Sequence, residues 1–415
     1  MFAGRKLAAI ATLIFIFAVV AAAAQDPSSS VLERKYAPNP SLQANVAFRV
    51  LFALVGTALC WVPFRLLWRN GDFAAVVLIL DVALMNFFTV LNALIWRGDN
   101  WDNWWTGEGL CDVEVYLAMP LETIYAAAIF AVVYQLAQHV RLTRASAMNR
   151  KERTRRALVQ AAVIFPIPLF QALFTWFDLA QRYRIGAVVG CMPVFDNSWP
   201  RFVVYDSPNP LFVMASVPFA SKCSTSGCLV SIPPRQVLIT TVVLTFKRFR
   251  AFSKSTRDAL RNSNTSATRA NRTRFRLYNM TASILVVYFP VSVYFFAYNV
   301  QQAATESLKP YSYRRIHWEA SPYPWNAILL MPSWTIPTVV LNQPWISIAT
   351  TVVIVAFFGT TKDGVDMYRE FAVKIGLARC FPKLAKPAPR VNPEDTQNSW
   401  TELLDRRSKG AATGR

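Results

Sequence analysis

The sequence predicts an all-α membrane protein: a bundle of seven transmembrane helices, with the N-terminus outside the cell and the C-terminus in the cytoplasm. Three observations favour this fold. Of the 415 residues, 54% are hydrophobic and only 16% are charged, whereas about a quarter of an average soluble domain is charged. Apolar windows of about 20 residues recur, which is the length that a helix needs to cross a bilayer. The basic residues are concentrated in particular loops.

Residues 1–24 are typical of a secretory signal peptide. Arg5 and Lys6 precede an apolar run that ends in alanines, with an A-x-A cleavage site at residues 22–24. A retained first helix is the alternative, because this run is nearly long enough to span a bilayer. Residues 25–43 would form an extracellular segment, residues 44–358 the membrane domain and residues 359–415 a cytoplasmic tail.

Seven apolar windows follow the signal segment. They cover residues 44–64, 73–96, 113–136, 157–179, 211–246, 277–300 and 337–358. The fifth window is interrupted by residues 217–236, which contain Cys223, Cys228 and two consecutive prolines. We interpret this piece as a translated intron. A re-entrant insertion and a loop closed by a disulfide between its two cysteines are the alternatives.

The orientation of the bundle follows from the basic residues in the loops. Residues 141–156, after the third window, contain seven lysines and arginines against one acid, and residues 247–276, after the fifth, contain ten against one. The loop after the second window carries Asp99, Asp102 and Glu108 instead. Odd-numbered spans therefore end in the cytoplasm, in agreement with the signal peptide.

No cofactor, metal site or catalytic centre is predicted. The chain has only six cysteines and two histidines, and it lacks P-loop, GxSxG and HExxH motifs. A net charge of +20 would suit nucleic-acid binding, but the basic runs alternate with apolar runs too long for a small soluble module. A transporter or channel is the alternative function; it would need polar lining across several spans and usually an internal repeat.

Charged residues within the spans are candidate functional residues, because a bilayer disfavours charge. At 1.5 Å per residue, Arg49 lies about 8 Å and Glu122 about 14 Å inside the outer ends of their spans, so that they can pair or line an outer pocket. Glu114, one turn into the third span, faces either a ligand or the lipid headgroups. Asp81 lies too deep to pair with Arg49, and a structural contact between helices is a competing interpretation for it.

Cys111 and Cys191 both lie on the outer side of the predicted topology, where disulfides persist. A bridge between them would hold the outer loop over the bundle, and two unpaired thiols are the alternative. Pro290 lies in the middle of the sixth span, where proline bends a helix and provides either a hinge or a static kink. We assign the aromatic residues around it to packing and lipid contacts.

Several stretches resemble the fungal mating-pheromone receptors of the a-factor-receptor type. VLNALIWRGDN at residues 90–100 is similar to the N-A-(I/L)-(I/V)-W stretch that closes the family's second span. WTGEGLCDVEVYL at residues 105–117 is similar to its W-x-G-x-G-W-C-D-I motif, with Leu110 in place of tryptophan. The matching positions are Trp105, Gly107, Gly109, Cys111 and Asp112. FPVSVYFFAYN at 289–299 and FFGTTKDGVDMY at 357–368 are similar too, whereas the N-terminal extension and the interrupted fifth span depart from the pattern.

The resemblance implies a class D G-protein-coupled receptor, and not an enzyme, in a fungal plasma membrane. Its ligand would be a secreted peptide with a farnesylated C-terminus, and its partners a heterotrimeric G protein and membrane lipid, without nucleic acid; homodimer formation is left open. From depth alone, we expect the ligand to contact Arg49, Asn92, Glu114, Glu122 and the loop around Cys191. For G-protein coupling we expect Arg141, Arg144, Lys247, Arg248 and Arg250.

Overall fold

The computed structural model describes residues 40–141, 150–220, 267–306, 308–320 and 322–374, which are mostly helical. The α-helices in these ranges are α1 (Pro40–Asn70), α2 (Phe73–Ile95), α3 (Leu110–Arg141), α4 (Arg150–Ile164), α5 (Pro166–Asp178), α6 (Pro208–Ala220), α7 (Ala267–Glu306), α8 (Tyr313–His317), α9 (Thr338–Asn342), α10 (Trp345–Ile354) and α11 (Lys362–Lys374). The predicted signal peptide and residues 221–236 of the predicted insertion lie outside the described residues.

Six segments of the described chain are long and apolar enough to cross a membrane. They are Ser41–Asn70, Phe73–Ile95, Leu110–Leu136, Lys151–Asp178, Arg276–Thr305 and Thr338–Gly359. These segments coincide with the predicted first, second, third, fourth, sixth and seventh spans. Of the predicted fifth span, only the beginning is described, as α6.

Two of these segments are not single helices. In the fourth, α4 ends at Ile164 and α5 begins at Pro166, because proline has no backbone N–H to continue the hydrogen-bond ladder. The seventh consists of α9, then α10 after Gln343 and Pro344, and then a π-helical turn, Val355–Gly359. By contrast, α7 continues through Pro290.

The core lies between α2, α3, α7 and α10. Small side chains on α3, Ala126, Ala127 and Ala128, are fully buried there and let neighbouring helix backbones come close. Gly56 of α1 serves the same purpose against Thr351 of α10, since a Cβ atom at Gly56 would overlap the threonine side chain. Close packing between backbones therefore fixes these helices around the core.

The all-α prediction is wrong at one end of the bundle, which we call the sheet end, because it carries a three-stranded sheet. Its strands are β1 (Leu179–Gly186), β2 (Gly190–Phe195) and β3 (Ile328–Met331), in the order β2-β1-β3. β1 and β2 form an antiparallel hairpin. β3 pairs with β1 in parallel, so that Tyr183 lies opposite Ile328 and Gly186 opposite Met331. Leu179, predicted to end the fourth span, instead begins β1.

The tip of the hairpin is inserted between α1 and α2. Val188 has a φ of 63°, an unusual conformation for a β-branched residue. Its side chain is buried and packs in one cluster with Leu42 and Ala93. Its N–H donates to the carbonyl oxygen of Trp96 at 2.8 Å. Burial and this hydrogen bond hold the strained turn in place.

The two strands of the hairpin are attached to the start of α3. Arg182 of β1 donates from Nε and Nη2 to the two carboxylate oxygens of Asp112, at 2.8 and 2.7 Å, and lies 3.6 Å from Glu108. The hydrogen bond to Asp112 raises the pKa of Arg182. A disulfide joins Cys111 of α3 to Cys191 of β2, which is the bridge that the sequence favours. The hairpin is thus fixed to the bundle along its strands as well as at its tip.

α11 belongs to the second of two compact units, which begins at Lys362. It lies within residues 359–415, which the sequence predicts to be the tail, and Val365 and Phe371 are exposed on it.

Candidate ligand-binding cavity

A cavity of about 990 Å³ lies at the sheet end, between the hairpin and the helices. Its walls come from the β1–β2 hairpin, from α2, α3, α6, α7, α8, α9 and α10, and from the segments between them. Pockets for small molecules range from about 300 to 1,000 Å³. This cavity lies at the upper end of that range and has room for several residues of a peptide.

Two of the predicted ligand-contact residues meet on one wall of the cavity. Asn92 of α2 donates from Nδ2 to Oε1 of Glu114 on α3, at 2.5 Å. The same nitrogen donates to the carbonyl oxygen of Val189 in the hairpin turn, at 3.0 Å. Both side chains line the cavity, and only 3% of Asn92 and 7% of Glu114 is exposed. Glu114 therefore faces the interior of the bundle.

The hairpin fixes the position of Asn92. Gly190, with a φ of +83°, lies against the Asn92 side chain so closely that a Cβ atom at this position would overlap it. The next residue, Cys191, forms the disulfide with Cys111, which precedes Glu114 by three residues on the first turn of α3. The disulfide and the Asn92 hydrogen bonds thus join the hairpin turn, α2 and α3 at one point.

The sequence allowed Arg49 to pair with Glu122, but the two side chains do not pair in the structure. The fully buried guanidinium of Arg49 donates to two backbone carbonyl oxygens, those of Val188 at 3.2 Å and Leu341 at 2.7 Å. These carbonyls belong to the hairpin tip and to α9, so Arg49 joins α1 to both. Arg49 is not among the described residues that line the cavity. These contacts give Arg49 a structural role.

Glu122 lies deeper in the same cavity, eight residues or about 12 Å along α3 from Glu114. Its carboxylate accepts hydrogen bonds from the side-chain amides of Gln343, between α9 and α10, and of Asn209 on α6. Thr123 donates to Oδ1 of Asn209 at 3.1 Å. This polar cluster joins α3, the beginning of the predicted fifth span and the break in the seventh.

Ion pairs line another part of the cavity. Arg315 contacts Asp196 at 2.6 Å, and Arg201 contacts Asp206 at 3.5 Å. Asn299 of α7 also donates to Asp206, at 2.9 Å. Burial raises the pKa of Asp206, while Arg201 acts in the opposite direction. These arginines are therefore engaged by acids of the protein itself.

Sequence reasoning missed several of these residues. Asn209 and Gln343 each stand directly before a proline within an apolar stretch, in SPNP and LNQP, which is a signal that would have identified them. Packing and lipid contacts do not fully account for the aromatic residues of α7, because Tyr288, Phe295 and Phe296 also line the cavity. Asp81 is buried on α2 away from the cavity wall, as far as the structure describes it.

The predicted coupling residues are not brought into this site. Arg141 is the last residue of α3, and its side chain lies outside the described part of the structure. Arg144, Lys247, Arg248 and Arg250 also lie outside the described residues.

Comparison with known proteins identifies the family. The chain matches the model of the pheromone A receptor family over residues 48–376. It is 25% identical to the pheromone a factor receptor of Saccharomyces cerevisiae over 317 residues, which is 75% of this chain and 59% of that protein. It is 22% identical to the pheromone B beta 1 receptor of Schizophyllum commune over 337 residues, 80% of this chain and 56% of that protein. The chain belongs to the pheromone A receptor family, a family of receptors and not of enzymes.

Proposed function

We propose that this protein is a G-protein-coupled receptor that binds a farnesylated peptide pheromone at the sheet end and activates a heterotrimeric G protein in the mating response. The observation that carries the proposal is the family match, which runs from α1 to the last described helix. The cavity supports it, because the cavity combines polar groups on α2 and α3 with aromatic groups on α7. A peptide with an attached isoprenoid needs both kinds of contact.

The proposal includes seven spans in all, of which the fifth is formed by α6 and the residues that follow it. It also includes a plasma-membrane location with the sheet end on the extracellular side. Charge supports this orientation, because acids in the loop after α2 lie at the sheet end, whereas the basic residues 150–156 begin α4 at the other end of α3. A disulfide at the sheet end also suits an oxidising compartment. Asn92, Glu114 and Glu122 would contact the ligand, and Pro290 would act as a hinge. The residues that would contact the G protein are Arg141, Arg144, Lys247, Arg248 and Arg250.

Expression in a fungal cell without its own pheromone receptors tests this function. Synthetic peptides that end in farnesylcysteine are applied, and a G-protein-dependent reporter is measured. We expect a response to some farnesylated peptides and a much weaker one to the same peptides without the lipid. Equal responses to the peptides with and without the farnesyl group would contradict a farnesylated ligand. Solute flux without any reporter response would favour the transporter.

A further inference from the structure

The pair of Asn92 and Glu114 presents two hydrogen-bond acceptors that have no donor within the described protein. These acceptors are Oδ1 of Asn92 and Oε2 of Glu114. Both side chains are more than nine-tenths buried, and both line the cavity. Buried polar atoms in proteins nearly always have a hydrogen-bond partner. The two unpartnered acceptors, on side chains that are hydrogen-bonded to each other, therefore point to a donor that the described residues do not supply.

The hydrogen bonds of Asn92 fix which of its atoms is free. An asparagine amide nitrogen carries two protons. The Nδ2 atom of Asn92 uses one for Glu114 and the other for the Val189 carbonyl. The remaining amide oxygen can only accept. The pair therefore offers an amide oxygen and, when Glu114 is ionised, a carboxylate oxygen side by side.

Glu114 also lacks a counter-ion. Among the described residues, no lysine or arginine forms an ion pair with it, and its one hydrogen bond comes from the neutral Asn92. Four basic side chains line the same cavity. Arg201 and Arg315 contact Asp206 and Asp196, and neither Arg184 nor Lys309 forms an ion pair with Glu114 in the described structure. A buried carboxylate without a cation is costly. A cation that enters the cavity removes that cost, whereas an anion would add to it.

We propose that Asn92 and Glu114 form a subsite for a cationic group of the ligand, either an ammonium or a guanidinium. This inference rests on the proposed function and narrows it, because it requires a positively charged amino terminus, lysine or arginine in the peptide. Such a group would donate to Oε2 of Glu114 and Oδ1 of Asn92. Hydrogen bonds between charged groups are about twice as strong as those between neutral ones, so the subsite selects for charge.

Matched peptides test the subsite in cells that express the full-length receptor. Each farnesylated peptide is made with a free and with an acetylated amino terminus, and with lysine or glutamine at each basic position. For the wild type, we expect that in one of these pairs the charged peptide gives a half-maximal response at a concentration about tenfold or more below that of the neutral peptide. In Glu114→Gln, which keeps the size of the side chain but removes its charge, this preference falls to about threefold or less.

Glu108→Gln is the matched control, because it removes an exposed acid from the same region, six residues earlier. It should leave the charge preference unchanged, with receptor amounts in the membrane compared by a C-terminal fluorescent tag. A wild-type response without any charge preference would overturn the subsite and leave the proposed function standing. The subsite is equally overturned if Glu122→Gln abolishes the preference while Glu114→Gln retains it.

A second measurement does not depend on finding an agonist. Thermal unfolding of the purified full-length receptor is followed with increasing butylguanidinium chloride, with sodium chloride at the same ionic strength as reference. We expect butylguanidinium to raise the unfolding midpoint of the wild type more than that of Glu114→Gln. Equal shifts in the two proteins would overturn the subsite, whatever the reporter assay shows.

Discussion

A glycine can be required by a positive φ or by close approach to a neighbouring side chain, and Gly190 and Gly109 separate these two reasons. Both have φ values near +80° and both lie at the sheet end. A Cβ atom at Gly109 would meet open space, whereas at Gly190 it would overlap the Asn92 amide. An alanine at either position adopts a backbone conformation that side chains disfavour, at about 1 kcal/mol. Only at Gly190 does it also displace the residue that holds Glu114.

We therefore expect Gly190→Ala to lower both thermal stability and pheromone response, and Gly109→Ala to lower stability slightly with little effect on the response. The measurements are the unfolding midpoint of the purified receptor and the concentration of agonist for half-maximal reporter output. Equal effects of the two substitutions would show that crowding against Asn92 is unimportant.

Arg49 stabilises the bundle by satisfying two carbonyls that have few alternatives in an apolar environment. Arg49→Leu leaves the carbonyls of Val188 and Leu341 without this donor, and each unpaired buried group costs about 1–3 kcal/mol. We expect a lower unfolding midpoint, and a partial loss with Arg49→Lys, because an ammonium lacks the planar fork of guanidinium. Arg65→Leu, at an exposed position on the same helix, is the control and should change the midpoint little.

At the level of elements, the apolar windows were predictable because a membrane-crossing helix is specified locally, by about 20 residues. The strands were harder to predict. Tyr183 and Ile185 alternate with Arg182 and Arg184, which is a strand pattern, but it is short and follows a long apolar span. β3, ILLM, has no alternation, and its parallel partner lies more than 130 residues away, so no local signal identifies it.

The candidate site was predictable in part for a similar reason. Depth along the membrane normal can be read from residue counts, and it led us to expect Asn92, Glu114 and Glu122 near the ligand. All three line the cavity, with Glu122 about 12 Å deeper than Glu114. Depth does not give the direction in which a side chain points around the helix axis. Arg49 and Glu122 therefore appeared able to pair, although Arg49 faces the hairpin tip and α9.

The hairpin is held at β2 by a disulfide that closes a loop of 80 residues. Removal of a native disulfide typically costs about 2–5 kcal/mol. We expect the double substitution Cys111→Ala and Cys191→Ala to lower the unfolding midpoint and weaken the response. Dithiothreitol should have the same effect on the wild type and no further effect on the double variant. Cys60→Ala, at a buried free thiol, is the control for loss of a cysteine.

For the whole molecule, the proposed orientation predicts which surfaces face outside. Trp318, near the sheet, is 79% exposed, and Arg155, on α4, is also exposed. We expect a membrane-impermeant maleimide to label Trp318→Cys on intact cells, and Arg155→Cys only after permeabilisation. Both are made in a background that retains only Cys111 and Cys191. Labelling of Arg155→Cys on intact cells would reverse the orientation.

The parallel pairing of β1 with β3 also orders events during biosynthesis. The hairpin of β1 and β2 is complete once Phe195 has left the ribosome, but β3 begins only at Ile328. At roughly 5–20 residues per second, translation of the intervening chain takes on the order of ten seconds. During that interval β1 has an open edge, and the sheet closes only after α7 has been made. A nascent chain that stops before Ile328 would therefore expose this edge to the quality-control machinery of the secretory pathway.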